Sequence, residues 1–279
     1  MSLVMDDIKY FITVSETLNI TRASEIIGIS QPALSYAIKR LETELGSQLF
    51  IRLKNGMQLT KLGEEFKVRA RKLLYEWEQA QNLTLQDSEL VQGNYTIAVH
   101  PSVALYSLEF FIGKIQENFP QLDLKFIHGL SREMTEKVIS WEADFGIIVN
   151  PIKHPDLVIR KIYSDEVTIF HKKNAKNKLI YDQSLAQSQH ILKKLGKKNE
   201  FSGEVQTGNL ELIAKLTSLG LGYGLLPATI ASQYKGLNKL EKAPVFKDEI
   251  CLVYRPEKHN NQTSKTIIST ITSAQYINS

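Results

Sequence analysis

The stretch NITRASEIIGISQPALSYAIKRLETELGSQLFIR, residues 19–52, decides the reading of this chain. In and just before it, apolar residues recur in three rhythms: Ile8, Phe11, Ile12 and Val14; Ala23, Ile26 and Ile27; Leu34, Ile38, Leu41 and Leu45. Spacings of three and four put each set on one helix face, so three amphipathic helices are expected. Gly28-Ile29-Ser30 separates the second from the third. Glycine can take the left-handed conformation that closes a helix, and serine can cap the next one. Pro32 fits only in the first turn of the new helix, where its missing N–H is not needed. The pattern is that of a helix-turn-helix.

The third helix presents Gln31, Ser35, Tyr36 and Lys39 on the polar face of its N-terminal half, the part a recognition helix pushes into the major groove. Glutamine can bond an adenine edge twice, whereas serine, tyrosine and lysine more often hold phosphates, so Gln31 is the expected base reader. Ser30 and Pro32, at the start of the same helix, complete this candidate surface. Thr21 and Arg22 begin the second helix, where backbone amides and a cation suit a phosphate oxygen. Leu49, Phe50 and Arg52, the turn-forming Lys54-Asn55-Gly56, and Gln58-Leu59-Thr60 read as a hairpin wing. Arg52, Lys54 and Thr60 are its candidates for the DNA backbone or minor groove. The alternative is a small helical core with a merely solvated polar face; the turn, cap, proline and wing arriving in order weigh against it.

A chain of 279 residues is long enough for two or three folding units. Its net charge of +4 does not locate a DNA site, because residues 1–85 carry 11 Lys and Arg against 10 Asp and Glu. The early Asp6 and Asp7 do not suit a secretory leader, and no run approaches the ~18 apolar residues of a membrane span. A soluble, cytoplasmic protein with no membrane partner is expected. Cys251, the single cysteine, sits between Ile250 and Leu252 and reads as a buried strand residue more than as a reactive thiol. The six histidines lack metal-ligand spacing, so neither a metal nor a cofactor is expected.

After Gly63 the chain runs to Leu85 without glycine or proline. Phe66, Leu73 and Ala80 fall seven apart, as do Ala70, Trp77 and Thr84, and the two series interleave as a coiled-coil seam. A homodimer is the natural consequence; a helix packed within its own chain is the alternative. Beyond the polar residues 86–94, short apolar runs (95–100, 122–128, 145–149, 167–171, 205–207 and 223–226) alternate with helical patterns (105–118, 132–140, 184–195 and 210–219). The alternation argues for parallel strands covered by helices, in two α/β subdomains with a cleft between them. The boundaries expected are 1–61 for the winged helix-turn-helix, 62–89 for the linker helix and hinge, 90–164 with 256–279 for subdomain I, and 165–255 for subdomain II.

Ligands of open α/β sheets bind beyond the carboxyl ends of strands, often at helix starts. Here those points are Pro101-Ser102-Val103, Ser131, Asn150 and Asn209. Ser102, Ser131 and Asn209 are the expected hydrogen-bonding groups for a small polar or anionic ligand, although each can equally be a helix cap. Gly220, Gly222 and Gly224 follow a helix instead of opening one, so they read as tight turns and close packing, not as a phosphate loop. Lys172, Lys173, Lys176, Lys178, Lys193, Lys194, Lys197 and Lys198 read as solubilising surface more than as an anion site.

Residues 8–63 resemble the LysR-type transcriptional regulators almost position for position, through the stretch quoted first, the wing, and LTKLGEEF at 59–66. Tyr36 stands where many members carry arginine or another long polar residue. DFGIIVNP at 144–151 and GNLELIAKLTSLGLGYGLLPATIA at 208–231 resemble parts of the family's effector domain more loosely. The resemblance implies an α/β fold with an N-terminal winged helix-turn-helix, a long linker helix, and two α/β subdomains of periplasmic-binding-protein type. It implies a DNA-binding regulator of promoters, a homodimer or homotetramer, that senses a small-molecule effector and acts by DNA bending or contact with RNA polymerase. A constitutive DNA-binding regulator with no effector is the alternative. An enzyme is not expected, since no nucleophile elbow, metal spacing or phosphate loop is present and Asp144, Asp165 and Glu166 lack an acid/base context.

Overall fold

The computed structural model describes residues 5–83, 92–196 and 201–276, in two compact units, residues 1–89 with 140–142 and residues 90–139 with 143–279. Thr84, the hinge residues 84–89, Lys197 and Lys198 lie outside the described residues, and among those described no helix is long and apolar enough to cross a membrane.

The first unit begins with α1 (Met5–Thr17), α2 (Ile20–Ile27) and α3 (Gln31–Leu45), followed by β1 (Phe50–Leu53), β2 (Gly56–Leu59) and α4 (Lys61–Leu83). Gly28 closes α2 with φ +79°, and the Ser30 side chain accepts from Ala33 N to open α3. The sequence thus sets both ends of the turn by local chemistry. Ile8, Phe11, Val14, Ala23, Leu34, Ile38 and Leu41 meet in one core. Ile26, expected inward, is exposed, because in so short a helix Ala23 and Ile27 already define the inner face.

The linker-helix reading needs a correction. Ala70 is buried in this same core, and the Phe66 ring stands edge-on to Phe11 with centroids 5.0 Å apart. Phe66 and Ala70, expected in the dimer seam, pack into their own chain's core, because the small α1–α3 unit uses the first turns of α4 as a lid. Leu73, Trp77 and Ala80, further along, are exposed.

The second unit is built on one nine-stranded sheet among the described residues. Its first half contains β3 (Gly93–Val99), α5 (Pro101–Ser107), α6 (Ile112–Asn118), β4 (Leu122–His128), α7 (Ser131–Ile139) and β5 (Phe145–Val149). The single helix expected over 105–118 is broken in two by a 3-10 turn at Leu108–Phe110. The long β6 (Val158–Lys172) leads into β7 (Leu179–Tyr181), α8 (Ala186–Leu195), β8 (Glu204–Gln206), α9 (Leu210–Ser218), β9 (Tyr223–Pro227), α10 (Ala228–Ser232) and β10 (Leu237–Lys239). Then β11 (Phe246–Tyr254) returns and α11 (Gln262–Thr272) follows. The strand order is β4-β3-β5-β11-β6-β9-β7-β8, with β10 on β6.

Strands β4-β3-β5 and β8-β7-β9 are parallel, as the alternation predicts. The sheet as a whole is mixed, because β11 and β6 run antiparallel to each other and to their outer neighbours. Both faces of the first half are covered, so side chains of β11 alternate between two apolar layers: Ile250, Leu252 and Tyr254 on one, Cys251 and Val253 on the other. Burial pushes the Cys251 thiol up to about 11, which suits a packing residue.

Two strands cross between the halves. Phe246–Tyr254 pair with Val167–Val158 of β6 along the whole of β11, and Ile250–Tyr254 also pair with Val149–Phe145 of β5. Ile250–Tyr254 thus complete the β5 ladder. Removing Phe11, a fully buried ring in contact with Phe50 and Phe66, as Phe11→Ala should cost about 3–5 kcal/mol. Urea-induced unfolding of the full chain measures it, and a loss under ~1 kcal/mol would refute this account of the core.

Candidate functional site

In the first unit, α3 and the wing wall a surface groove lined by Ser35, Tyr36, Lys39 and Arg52, with Gln48, Ile51 and Met57 below. Gln31 Nε2 donates to Ser35 Oγ at 3.2 Å, one helical turn away, so the two present a joint polar edge. Tyr36 is 68% exposed. Its ring lies under the Arg40 guanidinium, 5.9 Å from the centroid. Arg40 in turn donates two hydrogen bonds, at 2.7 and 2.5 Å, to Asp7, whose residue is buried. A buried carboxylate in α1 therefore sets the posture of an exposed aromatic on α3.

Thr21, Arg22, Gln31, Pro32, Lys39, Arg52 and Lys54 are exposed. Two expected contacts are already engaged within the chain. Ser30 caps α3, and the Thr60 hydroxyl accepts from Gly63 N at 2.9 Å while donating to Gln48 O at 3.0 Å. Thr60 thus opens α4 and is not a free ligand for a phosphate, since its hydroxyl proton is taken. The Arg22 amide, expected to be open, donates to Asn19 Oδ1, a cap the sequence reading missed.

In the second unit a cavity of about 70 Å³, open to solvent, lies where the two crossing strands pass between the halves. Tyr163, Asp165 and Val167 of β6 and Asp248 and Ile250 of β11 form its floor. His100, Ser102, Val103, Tyr106, Ser131 and Val149 line it from the first half, and Leu185, Gln187, Leu210, Leu225, Pro227, Thr229 and Ile230 from the second. Of the residues expected to bind a ligand, Ser102, Val103 and Ser131 line the cavity and Pro101, Asn150 and Asn209 do not. Pro101 is exposed at the start of α5. Asn209 caps α9, its Oδ1 accepting from Leu212 N at 2.8 Å. Asn150 acts as a clip: its Nδ2 donates to Asp248 Oδ1 at 2.6 Å and its Oδ1 accepts from Glu249 N at 2.9 Å.

His100, Tyr163, Asp165, Gln187, Thr229 and Asp248 are lining residues that sequence reading did not find. Nothing local marks Tyr163, Asp165 and Asp248, because β6 and β11 lie far apart in the chain and meet only by pairing. His100 Nδ1 accepts from Ser102 N at 3.3 Å, which leaves the ring proton on Nε2, and burial holds the ring's pKa below its usual range. Tyr163 is pushed up to about 12 by burial, against a hydrogen bond with Ser107 at 2.7 Å. Asp165 is raised by burial, against hydrogen bonds from Thr229 and from the backbone of Glu166 and Ala228.

The glycine reading holds here: Gly220 has φ +74°, and a side chain at Gly224 would strike Thr217. Close packing of α9 on β9 explains the pair.

Asp248 is raised to about 6, by burial first, against donation from Gln187 and Asn150, and with the Asp165 charge adding to the rise. A carboxyl raised in the folded state holds its proton more tightly there, so stability falls as pH climbs from about 4, the unfolded value, to about 6. Asp248→Asn removes this loss and should raise stability over the parent by about 1–3 kcal/mol above pH 6, with the difference fading below pH 4. Thermal melts of both proteins across that range check it; a difference independent of pH would contradict it.

The N-terminal residues 5–64 match the family model for the bacterial regulatory helix-turn-helix protein, lysR family, and residues 88–275 match the LysR substrate binding domain. The chain is 32% identical over 164 residues to the HTH-type transcriptional regulator CysL of Bacillus subtilis, an alignment covering 59% of this chain and 55% of that protein. It is 24% identical over 285 residues to the HTH-type transcriptional regulator CzcR of Bacillus cereus, covering 98% of each. The chain spans little more than half the length of CysL, but nearly all of CzcR. The fold matches full-length OxyR from Pseudomonas aeruginosa with a TM-score of 0.75 at 19% identity, over 98% of this chain and 94% of that one. With both of its units matched in order, the chain belongs to the LysR family of transcriptional regulators.

Proposed function

We propose that this chain is a homodimeric, sequence-specific regulator of transcription whose hold on promoter DNA responds to a small polar metabolite in the β6/β11 cavity. The observation that carries the reading is the α3–wing groove, where Ser35, Tyr36, Lys39 and Arg52 converge beside an exposed Gln31. A polar helix face flanked by a basic hairpin suits entry of α3 into the major groove. In this reading Gln31 reads a base, Thr21, Arg22, Ser35, Tyr36 and Lys39 hold phosphates, and Arg52 and Lys54 reach the backbone or minor groove. Leu73, Trp77 and Ala80, exposed at spacings of four and three along α4, supply the seam with a second copy. Pairing of dimers into a tetramer, and output by DNA bending or contact with RNA polymerase, extend the same reading.

Ligand control requires that the metabolite bind one arrangement of the protein more tightly than another. The crossing strands at the cavity floor supply an element that a ligand can bias.

Gel shifts on a genomic fragment protected by the purified protein test the DNA assignment. Gln31→Ala should weaken binding to that fragment by about 1–3 kcal/mol and leave a scrambled duplex unaffected; Lys39→Ala should weaken both and reduce the salt slope by about one. Unchanged specific affinity in Gln31→Ala would remove the base-reading role. For the seam, Leu73→Asp should convert the dimer to a monomer in sedimentation, and a persisting dimer would place the interface elsewhere.

A further inference from the structure

Asp165 and Asp248 are directly opposite each other across the antiparallel β6/β11 ladder, so their side chains leave the sheet on the same face. That face is the cavity floor, and both residues are more than nine-tenths buried. Like charges directly opposite on paired strands oppose folding, and burial adds to the cost. No Lys or Arg lines the cavity, and among the described residues neither carboxylate has a cationic partner. Their neighbours are neutral donors: Gln187 and Asn150 amides on Asp248, and backbone amides of Glu166 and Thr229 on Asp165.

A second observation points to a ligand at the same place. Ser102 is 4% exposed and lines the cavity, and its hydroxyl has no hydrogen-bond partner among the described residues. Its amide donates to His100 Nδ1 and is not open to a ligand. The Thr229 amide at the start of α10 is likewise taken by Asp165. Two of the helix-start donors that would greet an anion are thus already occupied, and two carboxylates face the space instead.

We infer that the cavity takes a small organic cation, an amine or guanidine on a short apolar stem, with its N–H groups against Asp248 and Asp165 and a polar group on the Ser102 hydroxyl. The apolar stem packs on Val103, Leu210, Leu225 and Ile230. This assignment rests on the reading of the cavity as the effector site and replaces the anionic ligand expected from helix starts alone. A cation neutralises the cross-strand pair and relieves the cost of burying it, whereas an anion would add a third like charge.

The test is thermal melting of the full chain at pH 7.5 with two sets of probes. One set holds n-butylamine, 1,5-diaminopentane, agmatine and L-arginine; the other holds pentanoate and glutarate. The expected result is a concentration-dependent rise in melting temperature with at least one amine or guanidine and none with the carboxylates. That rise should vanish in Asp248→Asn and shrink in Ser102→Ala. A rise that survives Asp248→Asn overturns the proposal, because the cation is then held elsewhere. If that variant fails to fold, the parent's discrimination between the two sets decides by itself.

A rise with a carboxylate and none with the amines also overturns the proposal, but leaves a ligand-responsive regulator standing. No rise with any probe overturns the proposal too. In that case a cavity-filling Leu210→Trp reports on the reading beneath it: an altered operator footprint keeps the cavity as a control site, and an unaltered one removes it.

Discussion

The pairing of β6 with β11 is the constraint on which the second unit depends. Each strand serves both halves of the sheet: β11 pairs with β6 along its whole length, and its residues Ile250–Tyr254 also finish the β5 ladder. The register shift between Ile250 and Cys251 falls at this crossing, where a bulge bends the ladder and raises its local twist. A cavity at that point has walls from both halves and a floor that neither half owns. Any change in how the halves meet must pass through these two strands, and a ligand on the floor is placed to bias it.

The first unit works by a different economy. Its core is small, and its recognition surface must stay polar and exposed, so rigidity comes from elsewhere. Phe11 gathers Phe50 from the wing and Phe66 from α4 against the helices. Arg40, held by buried Asp7, lies over the Tyr36 ring and braces it. Wing, linker helix and recognition helix are therefore tied to one ring and one ion pair, which keeps exposed side chains in place without burying them.

Polar residues expected to serve ligands are often spent on architecture. Ser30, Thr60 and Asn209 each cap a helix, and Asn150 clips β5 to β11. A serine, threonine or asparagine at a helix start meets an obligatory backbone need first. Ser102 escapes this fate because His100, two residues earlier, supplies the cap to its amide and leaves the hydroxyl to the cavity. Sequence shows that such a residue opens a helix; only the neighbour's side chain decides whether it remains available.

By itself the sequence determined the helix-turn-helix, its turn and the wing, because Gly28, Ser30, Pro32 and the Lys54-Asn55-Gly56 turn act through backbone conformation and local hydrogen bonds within a few residues. It also determined the alternation of strands and helices in the second unit, since periodicity is a local property. Only the tertiary structure decided that Phe66 and Ala70 face inward, that the sheet is mixed, and that Asp165 and Asp248 stand opposite each other. Those facts depend on residues tens of positions apart meeting in register, and no stretch of sequence carries that information alone.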